Sequence, residues 1–237
     1  FRYRNEQGEN KSYFCKTAHV SAENMLRLYL KDYYATLGNG YIAVISGNHD
    51  TERISYMLDE SELRLAYVML LTLPGTPFFY YGDEIGMRYI PQPSKEGGYH
   101  RTGSRTPMQW NYDEPNAGFS SAQKYRLYLD VDDRPNAPSV ASQLADDNSL
   151  LNLVKKLNAV RANNVDLQSD ERLDVVICSQ DGLLCYKRGN TYVAFNPTDG
   201  QLSMPLSVGK TIFVTGSFEA QDGGVMLAPQ TAIIFTK

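Results

Sequence analysis

Side chains suited to acid, base and hydrogen-bonding chemistry crowd into one short stretch, SGNHDTER, at residues 46–53. An amide (Asn48), an imidazole (His49) and two carboxylates (Asp50 and Glu52) follow directly on the apolar run YIAVI at 41–45. A second acidic pair, Asp83-Glu84, stands behind another apolar run, PFFYYG at 77–82. Carboxylates and an imidazole gathered at the end of a buried strand are the groups of acid–base chemistry, so one reading of the cluster is an active-site edge. The competing reading of the first cluster is an Asx-type turn capping the helix near residue 61, and from pattern alone both stand.

The elements that must position these groups are legible as periodicities. Ser21 is a plausible N-cap, Leu26, Leu30, Tyr33 and Leu37 recur at helical spacing, and Gly38 and Gly40 supply the stop. Residues 41–45 form a short β-branched run between turn signals, the pattern of a strand buried on both faces. Residues 61–73, SELRLAYVMLLTL, are apolar nearly all round and end at Pro74-Gly75, which predicts a helix packed on more than one side; its leucine and methionine stripe is core. Residues 77–81 are a second buried-strand candidate. Helix, strand and acidic loop thus occur twice in succession, the alternation of parallel α/β architecture, in which the loops after the strands share one face. The two acidic clusters are therefore expected at a common mouth.

From Gly82 to about Asn148 no period appears, and a connection that long in a compact domain is usually functional. Ser149 can cap a helix reaching about Asn163. Beyond Val165 the pattern turns to period two, with strands expected at 173–178, 183–187, 192–195, 211–215 and 232–235 and turns at Gly189-Asn190 and 197–200, which together suggest an antiparallel sandwich. The domain boundary falls near 165, giving domains 1–165 and 166–237.

Bulk composition narrows the partners. The 237 residues have a formal charge of −4 and no basic cluster longer than Lys155-Lys156, so neither nucleic acid nor an anionic membrane is expected. Cys15, Cys178 and Cys185 have no metal-like spacing, and an odd number is no disulfide framework. No apolar run approaches the ~18 residues of a membrane span. The chain opens on Phe1 without an initiator Met or a signal-peptide core, so it reads as a cut piece whose compartment is not legible.

The stretch SGNHD resembles the seventh-strand motif of the α-amylase family, glycoside hydrolase family 13. Three further stretches resemble that family in the expected order: LTLPGTPFFYYGDEIGM at 71–87, RTPMQWNYDEPNAGFS at 105–120 and QLADDNSLLNLVKKLNAVR at 143–161. The resemblance covers roughly residues 20–165, and the β-rich tail matches the family's C-terminal domain in type only. It implies an α/β plus all-β chain: the C-terminal portion of a (β/α)8 barrel, with 41–45 and 77–81 as strands seven and eight, followed by an antiparallel β-sandwich. The first six strands, with the family's nucleophilic Asp and general acid/base Glu, lie outside this sequence.

By the same resemblance Asp50 is the third carboxylate, which binds and distorts the sugar in the −1 subsite, and His49 hydrogen-bonds the same ring, while Asn48 orients the turn. Arg101 closes the −1 pocket and reaches the sugar's 4-hydroxyl, and Arg105, four residues on, makes a structural ion pair. Thr102 departs from the family pattern, where an Asp often follows the first Arg. Asp83 and Glu84 are read as loop anchors, and Trp110, the single tryptophan, in PMQW as packing, with stacking on a sugar face as the alternative.

The implied function is part of a retaining enzyme that hydrolyses terminal α-glucosidic bonds, inactive alone. The alternatives are a trehalose synthase-type isomerase or transglucosidase, and a non-catalytic carbohydrate-binding or regulatory module. The implied partners are an α-linked gluco-oligosaccharide or disaccharide and the N-terminal part of the same enzyme. No cofactor is expected, and any Ca²⁺ of the complete enzyme would have its ligands upstream.

Overall fold

The computed structural model describes residues 2–4, 10–18, 20–92, 100–168 and 172–237, with side chains from Ser12 onward except those of His100 and Arg101. A short antiparallel pair, β1 (Arg2–Arg4) and β2 (Asn10–Ser12), precedes helix α1 (Ala22–Thr36). Ser21 caps α1 with its Oγ accepting the Asn24 N–H at 3.3 Å, and Gly38, with φ +79°, turns the chain away from the last carbonyls. Strand β3 (Ala43–Ile45), helix α2 (Glu60–Thr72) and strand β4 (Thr76–Phe78) follow.

Helix α2 is apolar all round because it is buried all round: from Leu65 to Leu71 no residue is more than 1% exposed. Each Leu, Val or Met in that run contributes about 1.5–3 kcal/mol by leaving water. The turn into β4 requires Gly75, whose φ is +100° and whose missing Cβ would stand 2.3 Å from the Ile42 carbonyl oxygen. Arg161 closes this turn by donating from Nη1 to the Leu71 carbonyl (2.7 Å) and from Nη2 to the Gly75 carbonyl (2.8 Å).

Strands β3 and β4 pair with each other. The Thr76 N–H donates to the Ile42 carbonyl at 2.9 Å and the Ser46 N–H to the Phe78 carbonyl at 2.9 Å, so both strands advance in the same direction. Both are shorter than the apolar runs 41–45 and 77–81, because residues 79–81 leave the sheet for a turn at Gly82, where φ is +82°. The expectation that they are buried on both faces is corrected: Tyr41, Ile45 and Phe78 are 67%, 44% and 54% exposed. Each strand has one hydrogen-bonded neighbour among the described residues, and a pair alone cannot cover its own faces.

After β4 come helices α3 (Val140–Leu144), α4 (Leu150–Asn163) and α5 (Val165–Gln168). Ser149 caps α4, its Oγ accepting the Asn152 N–H at 3.2 Å. Strands β5 (Leu173–Cys178), β6 (Leu184–Arg188), β7 (Thr191–Asn196), β8 (Leu202–Met204), β9 (Lys210–Thr215), β10 (Phe218–Gln221), β11 (Gly224–Leu227) and β12 (Thr231–Thr236) complete the chain. They make a five-stranded sheet in the order β5-β6-β7-β12-β9 and a three-stranded sheet in the order β10-β11-β8, antiparallel throughout. Cys185, Ala194, Ile233 and Phe235 of the larger sheet share one core with Met204, Val225 and Leu227 of the smaller, which is face-to-face sandwich packing. The opposite face of the larger sheet is also buried: Tyr186 meets Thr72 of α2 in a hydroxyl–hydroxyl hydrogen bond of 2.6 Å, and Phe195 packs edge-on against Phe14.

Contacts divide the chain into two compact units, one of residues 1–44, 61–77 and 157–237, the other of 45–60 and 78–156. The first contains α1, α2 and the sandwich. The second consists of the segments that follow β3 and β4, and it has its own small core of Ile85, Met87 and Met108, with Val140 and Leu151 against it. Among the described residues no helix is long and apolar enough to cross a membrane.

Candidate active site

The turn after β3 is built by its own polar side chains. Asn48 Oδ1 accepts the Asp50 N–H at 2.8 Å, and the Asn48 N–H donates to Thr51 Oγ1 at 3.1 Å. This Asx turn spends the Asn48 side chain on the backbone and leaves His49 and Asp50 projecting side by side. His49 Nε2 lies 3.2 Å from Asp50 Oδ2, and the two side chains are 66% and 48% exposed. Arg105 then fastens the pair from across the unit, donating from Nε to the His49 carbonyl (2.8 Å) and from Nη2 to Asp50 Oδ1 (2.9 Å). A planar guanidinium can hold a carbonyl and a carboxylate at once, which an ammonium cannot do with the same geometry. Asp50 is thus an accessible carboxylate of fixed direction, flanked by an imidazole and a cation, able to accept from sugar hydroxyls and to face positive charge.

The second acidic pair behaves differently. Asp83 is 1% exposed and accepts from Arg53 and Ser46 beneath the turn. Burial pushes its carboxyl above the ordinary range, and the Arg53 charge and the Ser46 hydroxyl pull it back. Glu84 is also raised by burial, offset by backbone hydrogen bonds at Glu84 and Gly82. Its Oε2 is buried without a hydrogen-bond partner among the described residues.

Glu84 lines a pocket of about 420 Å³ with Tyr81, Arg105, Trp110, Phe119 and Tyr128 among its walls. Arg105 therefore both braces the turn after β3 and lines the pocket. The expectation that Trp110 is a packing residue is corrected: it is 50% exposed and forms part of the wall. Its backbone is fixed instead, the Trp110 N–H donating to the Ala117 carbonyl at 2.8 Å, and that leaves the indole free to face outward. Tyr81 donates its hydroxyl to the Thr106 carbonyl at 2.8 Å, which ties the end of β4's loop to the segment that starts at Arg105.

Arg101 lies in the short 3-10 turn His100–Ser104, and its side chain, like that of His100, is outside the described residues. The turn is pressed against its neighbour at Gly103, where a Cβ would stand 2.3 Å from the Ile90 carbonyl oxygen. Two charged groups passed over in the sequence reading prove structural. Arg53 sits inside the SGNHDTER cluster but points inward, and Asp132, itself 1% exposed, accepts from Arg88 Nε and Arg134 Nε at 2.7 Å each. Nothing local shows that either is buried, since Asp83, the partner of Arg53, lies 30 residues away and Arg88 lies 44 residues from Asp132, although Arg134 is only two residues from it. Among the described residues no group of three or more His, Cys, Asp or Glu is placed to hold a metal ion.

Comparison with known proteins gives a consistent picture. The sequence profile described as "Alpha amylase, catalytic domain" matches residues 2–170. The salivary alpha-glucosidase of Aedes aegypti is 34% identical over 171 residues, covering 64% of this chain and 28% of that protein. The trehalose synthase/amylase TreS of Mycobacterium tuberculosis is 42% identical over 107 residues, covering 44% of this chain and 17% of that protein. The crystal structure of the trehalulose synthase MutB from Pseudomonas mesoacidophila MX-45 superposes with a TM-score of 0.76 at 20% identity, over 91% of this chain and 46% of that one. A mutant of MutB in complex with glucose gives a TM-score of 0.76 at 21% identity, over 91% of this chain and 46% of that one. The chain thus spans less than a third of these curated relatives and about half of the solved structures.

Proposed function

The chain belongs to the α-amylase catalytic-domain family, and from that premise we propose that it supplies the sugar-gripping part of a retaining α-glucoside-acting site that hydrolyses terminal α-glucosidic bonds. Residues 1–165 are the C-terminal portion of a (β/α)8 barrel in this reading, with β3 and β4 as strands seven and eight, and residues 166–237 are the sandwich domain. The parallel pairing of β3 with β4 supports that placement.

The observation that carries the proposal is the Asp50–His49 pair, exposed, side by side and held by one arginine immediately after a parallel strand. A retaining mechanism uses two further carboxyl groups about 5–5.5 Å apart, one attacking the anomeric carbon and one protonating the leaving oxygen. Both come from the N-terminal part of the same enzyme, so this chain is inactive alone. Asp50 accepts from ring hydroxyls and, as positive charge grows on the sugar in the transition state, its negative charge is worth more than in the ground state. His49 donates to the same ring, and Arg105 keeps Asp50 aimed. Arg101 closes the pocket over the terminal glucose. No cofactor is needed from this chain, and any Ca²⁺ is held by upstream residues.

A second reading, isomerisation of an α-linked disaccharide, is favoured by the similarity to TreS. Both reactions pass through one β-glucosyl-enzyme intermediate and differ in whether water or the released sugar attacks it. Incubating the full-length protein with maltose tests both. Free glucose supports hydrolysis and trehalose supports isomerisation, while maltose bound but unchanged would replace both with a non-catalytic binding module.

A further inference from the structure

The turn that presents His49 and Asp50 is anchored at both ends to a single buried carboxylate. At its start, Ser46 Oγ donates to Asp83 Oδ2 at 2.7 Å and accepts the Tyr80 N–H at 2.9 Å. At its end, Arg53 Nη1 donates to Asp83 Oδ1 at 2.9 Å and to the Tyr81 carbonyl at 2.7 Å. The guanidinium lies 5.1 Å and 5.0 Å from the ring centroids of Tyr80 and Tyr81, and its Nε and Nη2 make no hydrogen bond among the described residues. Gly47 leaves room for the carboxylate, since a Cβ there would stand 3.3 Å from Asp83 Oδ2.

Stability alone is a weak reason for this arrangement. Arg53 and Asp83 are each 1% exposed, and burying two ions costs several kcal/mol apiece before their attraction is counted, so an apolar pair of similar volume would hold the fold as well. What an apolar pair cannot do is fix direction. Two oxygens of one carboxylate, each bonded to a different end of residues 46–53, define where the intervening turn stands relative to the loop after β4.

We propose that Asp83 is the positioning residue of the glucoside site: by holding Ser46 and Arg53 it sets the direction of the Asp50 carboxylate and the His49 ring, without touching the sugar. The inference rests on the reading of Asp50 as a sugar-binding catalytic carboxylate. Displacements near 1 Å at a reacting group lower rates by about 100-fold, and a partial loss of anchoring costs less, about 5- to 20-fold.

The test uses the full-length protein with maltose, comparing the parent with Asp50→Asn, Ser46→Ala, Asp83→Asn and the Ser46→Ala/Asp83→Asn double variant. Ser46→Ala removes one anchor and leaves the ion pair, so it is expected to fold with an unchanged circular dichroism spectrum while kcat falls about 5- to 20-fold and KM stays within about threefold. Asp83→Asn is expected to lose more kcat, and the double variant no more than Asp83→Asn, because both act through one network. Parent kcat in folded Ser46→Ala and Asp83→Asn, or a loss confined to KM, overturns the positioning role. If Asp83→Asn does not fold, the kcat of Ser46→Ala decides alone. Full activity in Asp50→Asn refutes the functional reading itself, whatever the other variants do.

Discussion

Arg105 touches the backbone of the 46–53 turn and its carboxylate and also lines the pocket, and replacing it with Ala tests how much the turn depends on an outside clamp. The change removes the 2.8 Å bond to the His49 carbonyl and the 2.9 Å bond to Asp50. The ion pair is partly exposed, 31% on Arg105 and 48% on Asp50, which limits its worth to about 0.2–1 kcal/mol. The bond to the carbonyl adds about 0.5–1.5 kcal/mol. Together they amount to about 0.7–2.5 kcal/mol, so if that energy is used to hold Asp50 in its transition-state position, kcat/KM for maltose falls about 3- to 70-fold. Arg105→Lys keeps the charge and loses the fork, and recovers a fraction of the loss at most. Steady-state kinetics of the full-length protein, with a melting curve for each variant, provides the measurement. Parent kcat/KM in a correctly folded Arg105→Ala protein would refute the reasoning.

Other perturbations test the scaffold. Gly75→Ala forces a side chain into a left-handed backbone and to within 2.3 Å of the Ile42 carbonyl, so thermal unfolding is expected to show a loss of about 3 kcal/mol or more, and an unchanged melting temperature would contradict the close approach. Thr72→Val leaves the buried Tyr186 hydroxyl without its 2.6 Å partner, at a cost of about 1–3 kcal/mol, measurable by denaturant titration. Asp132 is pushed up by burial, but hydrogen bonds from Arg134 and Arg88 outweigh that and hold its carboxyl below the usual range. A folded value below the unfolded one, about 3.9, means that its contribution is present above that pH and is lost as pH falls through the folded value. Asp132→Asn is therefore expected to lower stability at pH 6 by about 2–3 kcal/mol, somewhat less than a fully buried pair because Arg88 and Arg134 are 33% and 43% exposed, and to flatten the fall in stability between pH 5 and pH 2.

Regular elements with a strong period were legible from sequence. Helix α2 announced itself because its apolar residues leave no polar face, and α1 and α4 because Ser21 and Ser149 precede periodic leucines. Strands β5, β6, β7, β9 and β12 stand out as runs of five or six residues between turn signals, most of them rich in β-branched and aromatic side chains, whereas β8, β10 and β11 were missed because three or four residues between glycines and acidic turns carry too little pattern. Helix α3, five residues long and held by the Ser139–Ser142 capping box, was hidden for the same reason. At the site, the type and order of Asn48, His49 and Asp50 were visible, and the Asx geometry follows from Asn48 itself. The inward turn of Arg53 was not, because its partner Asp83 lies thirty residues away and only tertiary structure joins them. The exposure of β3 and β4 was equally hidden, since an apolar run reads the same whether or not its neighbours are at hand.

The most direct test of the account is the kcat of Asp50→Asn in the full-length protein acting on maltose, with circular dichroism to establish the fold. In the proposed site the Asp50 charge faces the developing oxocarbenium centre, so its loss is expected to cut kcat by at least about 100-fold, the size of removing one preorganised electrostatic group, with a melting temperature close to the parent's because Asp50 is half-exposed. A folded Asp50→Asn protein that turns over maltose at the parent rate would contradict the placement of this turn at the reacting sugar.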